Sequence, residues 1–188
     1  MSHNQQVVIF FGMIASGKSY LARHWVDRHG MTYHNSDVVR KEMAGLKPTA
    51  NHQEEVDQGI YTSVFSRKTY DELLRRAQED LGRSGCRGVV LDGSYQFRAE
   101  RDLARTTLAD WNLRFVYCHC PEPVMKARME QRCLDPDAVS DGRWEIYLKQ
   151  KERFEPADEL EEGRQLITIN TDRMLEALLA ELDQKLRG

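Results

Sequence analysis

The chain is poor in several features, and each shortage excludes a class of protein. There are four cysteines in 188 residues, too few and too irregularly spaced for a disulfide framework. Cys118 and Cys120 alternate along a predicted strand and would point the same way, as packing cysteines do. His119 between them faces away from both sulfurs, and no second cluster completes a zinc spacing, so a zinc site is not expected. No apolar run approaches the ~18 to 20 residues of a membrane-spanning helix. Neither sign of charge dominates, because 27 Lys+Arg against 30 Asp+Glu leave a formal charge of −3; a nucleic-acid or anionic-membrane partner is therefore disfavoured. Met1 to Gln6 carry no basic leader, so a cytoplasmic location is expected. No internal repeat or low-complexity segment is present. What remains is one domain's worth of chain, 40% hydrophobic and 30% charged, long enough to bury a substantial core.

The apolar pattern alternates between two periods. Val7 to Phe11 is a continuous β-branched and aromatic run, the mark of a strand buried on both faces. Leu21, Ala22, Trp25 and Val26 then repeat with helical spacing, ending near Gly30. Short strand and short helix follow at Met31 to Asn35 and Val38 to Gly45. A long helix is predicted through Leu73, Leu74, Ala77 and Leu81, and a strand at Val89 to Leu91. Gln96 to Trp111 reads as a charged helix, Leu113 to Tyr117 as a strand, and Val124 to Cys133 and Trp144 to Phe154 as helices. Leu166 to Ile169 is the fifth strand, and the leucine stripe from Leu175 to Leu186 a closing helix. Strands separated by helices imply right-handed crossovers and a three-layer α/β/α sandwich around a mainly parallel five-stranded sheet. Lys47 to Gly59 and Leu134 to Gly142, the latter with Asp-Pro-Asp and Asp-Gly turn signals, read as connections over one face. Glu152 to Glu162 carries six acids and reads as a solvated link without chemistry.

Gly12-Met13-Ile14-Ala15-Ser16-Gly17-Lys18-Ser19 follows the first strand and precedes the first helix, the setting a phosphate-binding loop requires. Gly12 and Gly17 allow backbone conformations in which successive N–H groups, including those at Ala15 and Ser16, turn inward around a phosphate. Lys18 supplies a cation for the β- and γ-phosphates, and the Ser19 hydroxyl a ligand for Mg²⁺. No Asn-Lys-x-Asp guanine-reading tetrapeptide occurs, which favours ATP, and the chain is too short for a motor ATPase with an accessory domain.

With Asn35-Ser36-Asp37-Val38-Val39-Arg40-Lys41 after the second strand and Val90-Leu91-Asp92-Gly93-Ser94 after the third, the chain resembles the predicted small P-loop kinases related to zeta toxin, chloramphenicol phosphotransferase, gluconate kinase and the kinase domain of polynucleotide kinase. The likeness spans nearly the whole chain. It implies a P-loop NTPase fold with a helical lid around residues 128–143, an acceptor-side insertion around 45–70, and ATP- and Mg²⁺-dependent transfer of the γ-phosphoryl group to a hydroxyl. By resemblance Asp37 is the base that orients the attacking hydroxyl; the bland alternative is that Ser36 or Asp37 merely caps the helix. Arg40, one turn on, matches an arginine that relatives place near acceptor or phosphate. Asp92 ends an apolar strand beside the Mg²⁺ site, as a metal-side or acceptor contact or as a turn cap. Arg101 matches an acceptor-side position in relatives, and Arg98 is a weaker candidate on the same helix. Arg128 and Arg132 share a helix face leading into the lid, where guanidinium groups would neutralise the transferring phosphoryl; Arg143 is a third candidate, and surface ion pairs are the alternative for all three. Asn170-Thr171 corresponds to the loop near the adenine, with a plain helix cap as the alternative. Tyr61, Phe65 and Tyr70 are candidates for an acceptor pocket or for core.

The expected partner is thus a small-molecule hydroxyl acceptor, with nucleic acid and membrane disfavoured and the oligomeric state open. A nucleotide or polynucleotide 5′-hydroxyl kinase, and an ATP-binding regulatory or toxin-like module, are the competing readings.

Overall fold

A computed structural model describes residues 5–47, 59–132 and 144–187. Its first strand, β1 (Gln6–Phe11), is fully buried from Val7 to Phe11. Successive side chains of a strand point to opposite faces, so Val7, Ile9 and Phe11 feed one core and Val8 and Phe10 another. The continuous apolar run is what lets this strand sit at the centre of a two-faced sheet.

The chain continues as α1 (Lys18–His29), β2 (Thr32–Asn35), α2 (Ser36–Met43), a 3₁₀ turn (Gly59–Tyr61), α3 (Ser63–Leu81), β3 (Gly88–Asp92) and α4 (Arg98–Thr107). It closes with β4 (Asn112–His119), α5 (Glu122–Arg132), α6 (Trp144–Arg153), the short α7 (Asp158–Glu162), β5 (Leu166–Asn170) and α8 (Leu175–Arg187). The strand order is β2-β3-β1-β4-β5, and every pair is parallel. The three-layer α/β sandwich is therefore as expected, with a wholly rather than mainly parallel sheet. Leu21, Ala22 and Trp25 of α1 and Leu178, Leu179 and Leu182 of α8 cover one face. Val39, Tyr70, Leu73, Leu74, Ala77, Ala104 and Leu160, from α2, α3, α4 and α7, cover the other. A third cluster, Ile14, Ala15, Cys120, Met125, Met129 and Tyr147, packs α5 and α6 against the loop that follows β1.

Two expectations are corrected. The acidic stretch before β5 is not simply a solvated link: it forms α7, in which Leu160 is fully buried and Glu159 nearly so. A buried carboxylate needs a cation, and Arg101 supplies it. The start of α2 lies at Ser36, two residues before the apolar pattern begins, because the side chain of Asn35 accepts from the N–H groups of Asp37 and Val38 at 3.0 and 3.1 Å. Cys86, Cys118 and Cys120 are free thiols. Cys133, Arg143 and most of both connecting segments lie outside the described residues. Among the described residues no helix is long and apolar enough to cross a membrane.

Candidate active site

The ligand edge of an open parallel sheet is the carboxyl end of its strands, at the point where the strand order reverses. Here that point is the loop after β1, the central strand. Gly12 has φ +139°, and a Cβ there would lie 2.3 Å from the Cys118 carbonyl oxygen. Gly17 has φ +87°, and a Cβ there would meet Thr171 Oγ1 at 2.8 Å. Neither position tolerates another residue without movement. Gly17 also leaves α1 with no side-chain cap, and the first turn holds no acidic residue, so its N–H groups and positive dipole end are open to an anion. Lys18 folds back, its Nζ donating to the Met13 carbonyl at 3.4 Å.

The loop is braced from behind. Thr171 Oγ1, 2% exposed, donates to the Ser16 carbonyl at 2.5 Å. Arg128 Nη1 donates to Thr171 Oγ1 at 3.0 Å and to the Ala15 carbonyl at 3.4 Å, and Nη2 to the Thr171 carbonyl at 2.9 Å. From α6, Gln150 Oε1 accepts the Ile14 N–H at 2.9 Å. Arg128 therefore spends its guanidinium on the Ala15 carbonyl, on Thr171 and on the Cys120 sulfur at 3.4 Å. Thr171 is no helix cap, since α8 starts at Leu175. Asn170, exposed at the end of β5, caps a turn by accepting the Asp172 N–H at 3.0 Å.

On the other side of the loop, Asn35 does two jobs with one amide. Its oxygen caps α2, and its Nδ2 donates to Asp92 Oδ2 at 2.6 Å. Tyr33 donates its hydroxyl to the same oxygen at 2.6 Å, and burial together with the Asp92 charge pushes the Tyr33 hydroxyl pKa up. Because Asn35 is the cap, the carboxylate of Asp37 is not taken up by that role. Asp92 is fully buried and does not line the cavity described next, so the acceptor contact expected of it is corrected: Asn35 and Tyr33 stand against its carboxylate. Its Oδ1 is buried without a partner, as is Ser16 Oγ.

A cavity of about 390 Å³ opens beside the loop, the size of a small-ligand cleft. Lys18 and Asp37 line it together, with Arg40, Tyr70, Ser94 and Glu100. Arg40 is 7% exposed; its Nη1 donates to the Ile60 carbonyl and Ser66 Oγ, both at 3.2 Å, and the guanidinium lies 5.1 Å from the Tyr61 ring centre. Tyr61 and Tyr70 thus line the cavity and Phe65 does not. Tyr70 is also core, its hydroxyl bonded to Ser94 Oγ at 3.0 Å and accepting the Tyr95 N–H at 3.1 Å. Burial pushes the Glu100 carboxyl up to about 7, against the opposing pull of the Phe97 N–H and the Arg40 and Arg101 charges.

Arg101 is corrected outright. It is fully buried away from the cavity, its Nε on Glu159 Oε1 at 2.6 Å, Nη1 on the Tyr95 carbonyl at 2.9 Å and Nη2 on the Pro156 carbonyl at 2.6 Å. Arg98 pairs with Asp102 on the surface. On α4 the residues lining the cavity are Ala99, Glu100 and Leu103; Glu100, the charged one, was passed over in the sequence, where a Glu three residues after the helix N-cap was the available signal. Gln150 gave no signal at all. Arg132 closes α5, and its side chain lies outside the described part, as does Arg143.

A family model described as AAA domain matches residues 7–157. No curated protein matches the chain significantly. Among solved structures, an unliganded sugar kinase from Janibacter sp. HTCC2649 superposes with a TM-score of 0.68 at 18% identity, covering 98% of this chain and 95% of that one. A gluconokinase from Sinorhizobium meliloti 1021 gives 0.65 at 19% identity, with coverage of 99% and 93%. A shikimate kinase from Acinetobacter baumannii, in complex with shikimate, gives 0.62 at 16% identity, with coverage of 99% and 94%. At these identities the likeness is one of fold, that of the small P-loop kinases.

Proposed function

The chain belongs to the AAA domain family, and we propose on that footing that it is an ATP-dependent kinase that transfers the γ-phosphoryl group to a hydroxyl of a small-molecule acceptor. The observation that carries this is the shared cavity: the phosphate-loop lysine, Lys18, and the carboxylate of Asp37 open into one space of small-molecule size. Similarity to solved kinases of small hydroxylated compounds supports the same class.

The loop from Gly12 to Ser19 and the uncapped start of α1 hold the triphosphate, with Lys18 offsetting charge on its outer phosphates. Thr171 and Arg128 keep the loop in shape through its carbonyls, and Asn170 flanks the base-side turn. Asp37 orients the acceptor hydroxyl and takes its proton as the new P–O bond forms and the bond to ADP breaks; phosphoryl transfer relies on this kind of positioning more than on covalent chemistry. Arg40 contacts the acceptor from the wall behind. Arg132, at the end of α5, is the cation we assign to the transferring group, with Arg143, outside the described residues, as its alternate. The oxygen donors Ser19 and Asp92, the latter with a buried unpartnered Oδ1, fit Mg²⁺, a hard cation that prefers oxygen. Held there, Mg²⁺ would offset negative charge on the phosphate oxygens.

The test is label transfer from γ-labelled ATP with Mg²⁺ to a fractionated pool of hydroxyl metabolites, antibiotics and short oligonucleotides, read by mass, with Lys18→Ala in every arm. A labelled small molecule that vanishes in the control is the expected result. Release of inorganic phosphate alone, with no acceptor labelled, would sink the kinase reading.

A further inference from the structure

Of the side chains that brace the phosphate loop, Gln150 alone also lines the cavity. Thr171 and Arg128 hold the loop by the carbonyls of Ser16 and Ala15 and lie outside that lining. Gln150 Oε1 instead accepts the Ile14 N–H at 2.9 Å, and the residue stands in one lining with Lys18 and Asp37. The helix that carries it presents a whole face there. Ile146, Lys149, Gln150 and Arg153 are spaced i, i+3, i+4 and i+7 along α6, and all four line the cavity. Tyr147 anchors that helix: it is buried in one cluster with Ile14, Met125 and Met129, and its hydroxyl donates to Glu122 Oε2 at 2.9 Å.

Gln150 and Lys18 meet on a single peptide group. Lys18 Nζ donates to the Met13 carbonyl oxygen, and Gln150 Oε1 takes the N–H of the same peptide, that of Ile14. A backbone N–H can be answered only by an acceptor, so this bond settles which end of the Gln150 amide faces the loop. The other end, Nε2 with its two N–H groups, is bonded to no other described residue. Both ends hang on one carbon, so fixing Oε1 on the loop holds two unspent donors beside it, at the cavity.

We infer that Gln150 is a contact for the γ-phosphoryl group, its Nε2 donating to a γ-oxygen while its Oε1 stays on the Ile14 N–H. The inference rests on the kinase reading for the place of the nucleotide in the loop. The γ-phosphoryl has to lie between Lys18 and the hydroxyl held by Asp37, which is the space these three residues share. Negative charge on that group is spread over its oxygens, and a donor already oriented by a second bond meets it without reorganisation. ADP lacks these oxygens and leaves the two N–H groups unspent, so Gln150 separates the triphosphate from the diphosphate.

The test is a pair of calorimetric titrations of the full chain with Mg²⁺, one with ADP and one with the β,γ-imido analogue of ATP. Gln150→Met removes both ends of the amide. It should weaken the analogue about tenfold more than ADP, the worth of a hydrogen bond to a charged group. Loss of the Ile14 brace alone acts on loop shape and would weaken the two nucleotides alike. Gln150→Glu keeps an oxygen for Ile14 but has no donor, so it too should lose the analogue by about tenfold or more relative to ADP; it decides the matter if the methionine variant fails to fold. Equal losses for ADP and analogue, or an analogue bound by Gln150→Glu as by the parent, overturn the inference. Binding is read without transfer, so the two readings fail separately. A Gln150-dependent preference for the analogue in a chain that labels no acceptor refutes the kinase reading alone. Label transfer by a chain whose nucleotide preference ignores both variants refutes the Gln150 inference alone.

Discussion

The two halves of the site are built in opposite ways. The proposed phosphate side is one contiguous stretch, Gly12 to Ser19, whose backbone would do the binding and whose outer flank is braced by Thr171, Arg128 and Gln150. The proposed acceptor side is assembled from α2, the 3₁₀ turn, α3, α4, α6 and the loop after β3, and side chains form its lining. The buried arginines separate the same two styles within the acceptor half. Arg101 has every nitrogen answered by the protein and belongs to the scaffold; Arg40 lines the cavity while its Nη1 is held by Ile60 and Ser66. A backbone site is fixed by local sequence, whereas a side-chain site depends on which helices tertiary packing brings together.

The contrast can be broken at four places. Arg101→Met should have the largest effect, about 3 to 5 kcal/mol in urea unfolding, because it strands the buried Glu159 carboxylate; a loss under about 1 kcal/mol would mean that the pair is dispensable to the scaffold. Asp37→Asn should lower turnover about 10²-fold or more with ATP affinity unchanged, and equal product formation would remove Asp37 from the chemistry. Thr171→Val keeps the shape and deletes the bond to Ser16. It should cost about 1 to 2 kcal/mol, read as weaker nucleotide binding in a fluorescence titration with acceptor affinity intact; a matching loss on the acceptor side would show that the two halves are not separable.

The smallest effect is a slope. Glu100 holds its proton up to about 7 in the folded chain, above the 4.5 it would have when unfolded. Between those values the folded state binds more protons, so this group's contribution to stability falls as pH rises from about 4.5 to 7 and is level above that. The stability difference between Glu100→Gln and the parent, measured by denaturant unfolding across that range, should therefore shift in favour of the variant as pH rises and then plateau.

The phosphate half was legible because its signal is local. Val7 to Phe11 announces a two-faced strand, and the octet that follows matches its required setting. That Asp37 and Arg40 share one lining was legible for the same reason, since they lie within one turn of each other. Arg98, Ala99, Glu100 and Arg101 were not sorted correctly, because rotating a charged helix by one residue decides which charge meets the cavity and which meets α7. That rotation is set by Leu160 and Glu159, some 60 positions on, which a reading of the acids as a solvated link discarded. Gln150 was invisible for a related reason: nothing near it in the chain marks it as a partner for a loop amide 136 positions earlier.

The position of β1 has a consequence for how the chain is made. It is the first described strand to be synthesised, it is apolar on both faces, and its hydrogen-bonded neighbours among the described strands are β3, beginning at Gly88, and β4, beginning at Asn112. During translation at about 5 to 20 residues per second, this strand waits several seconds for an edge to pair with. Throughout that interval it is the kind of segment that chaperones bind and that aggregates when they do not.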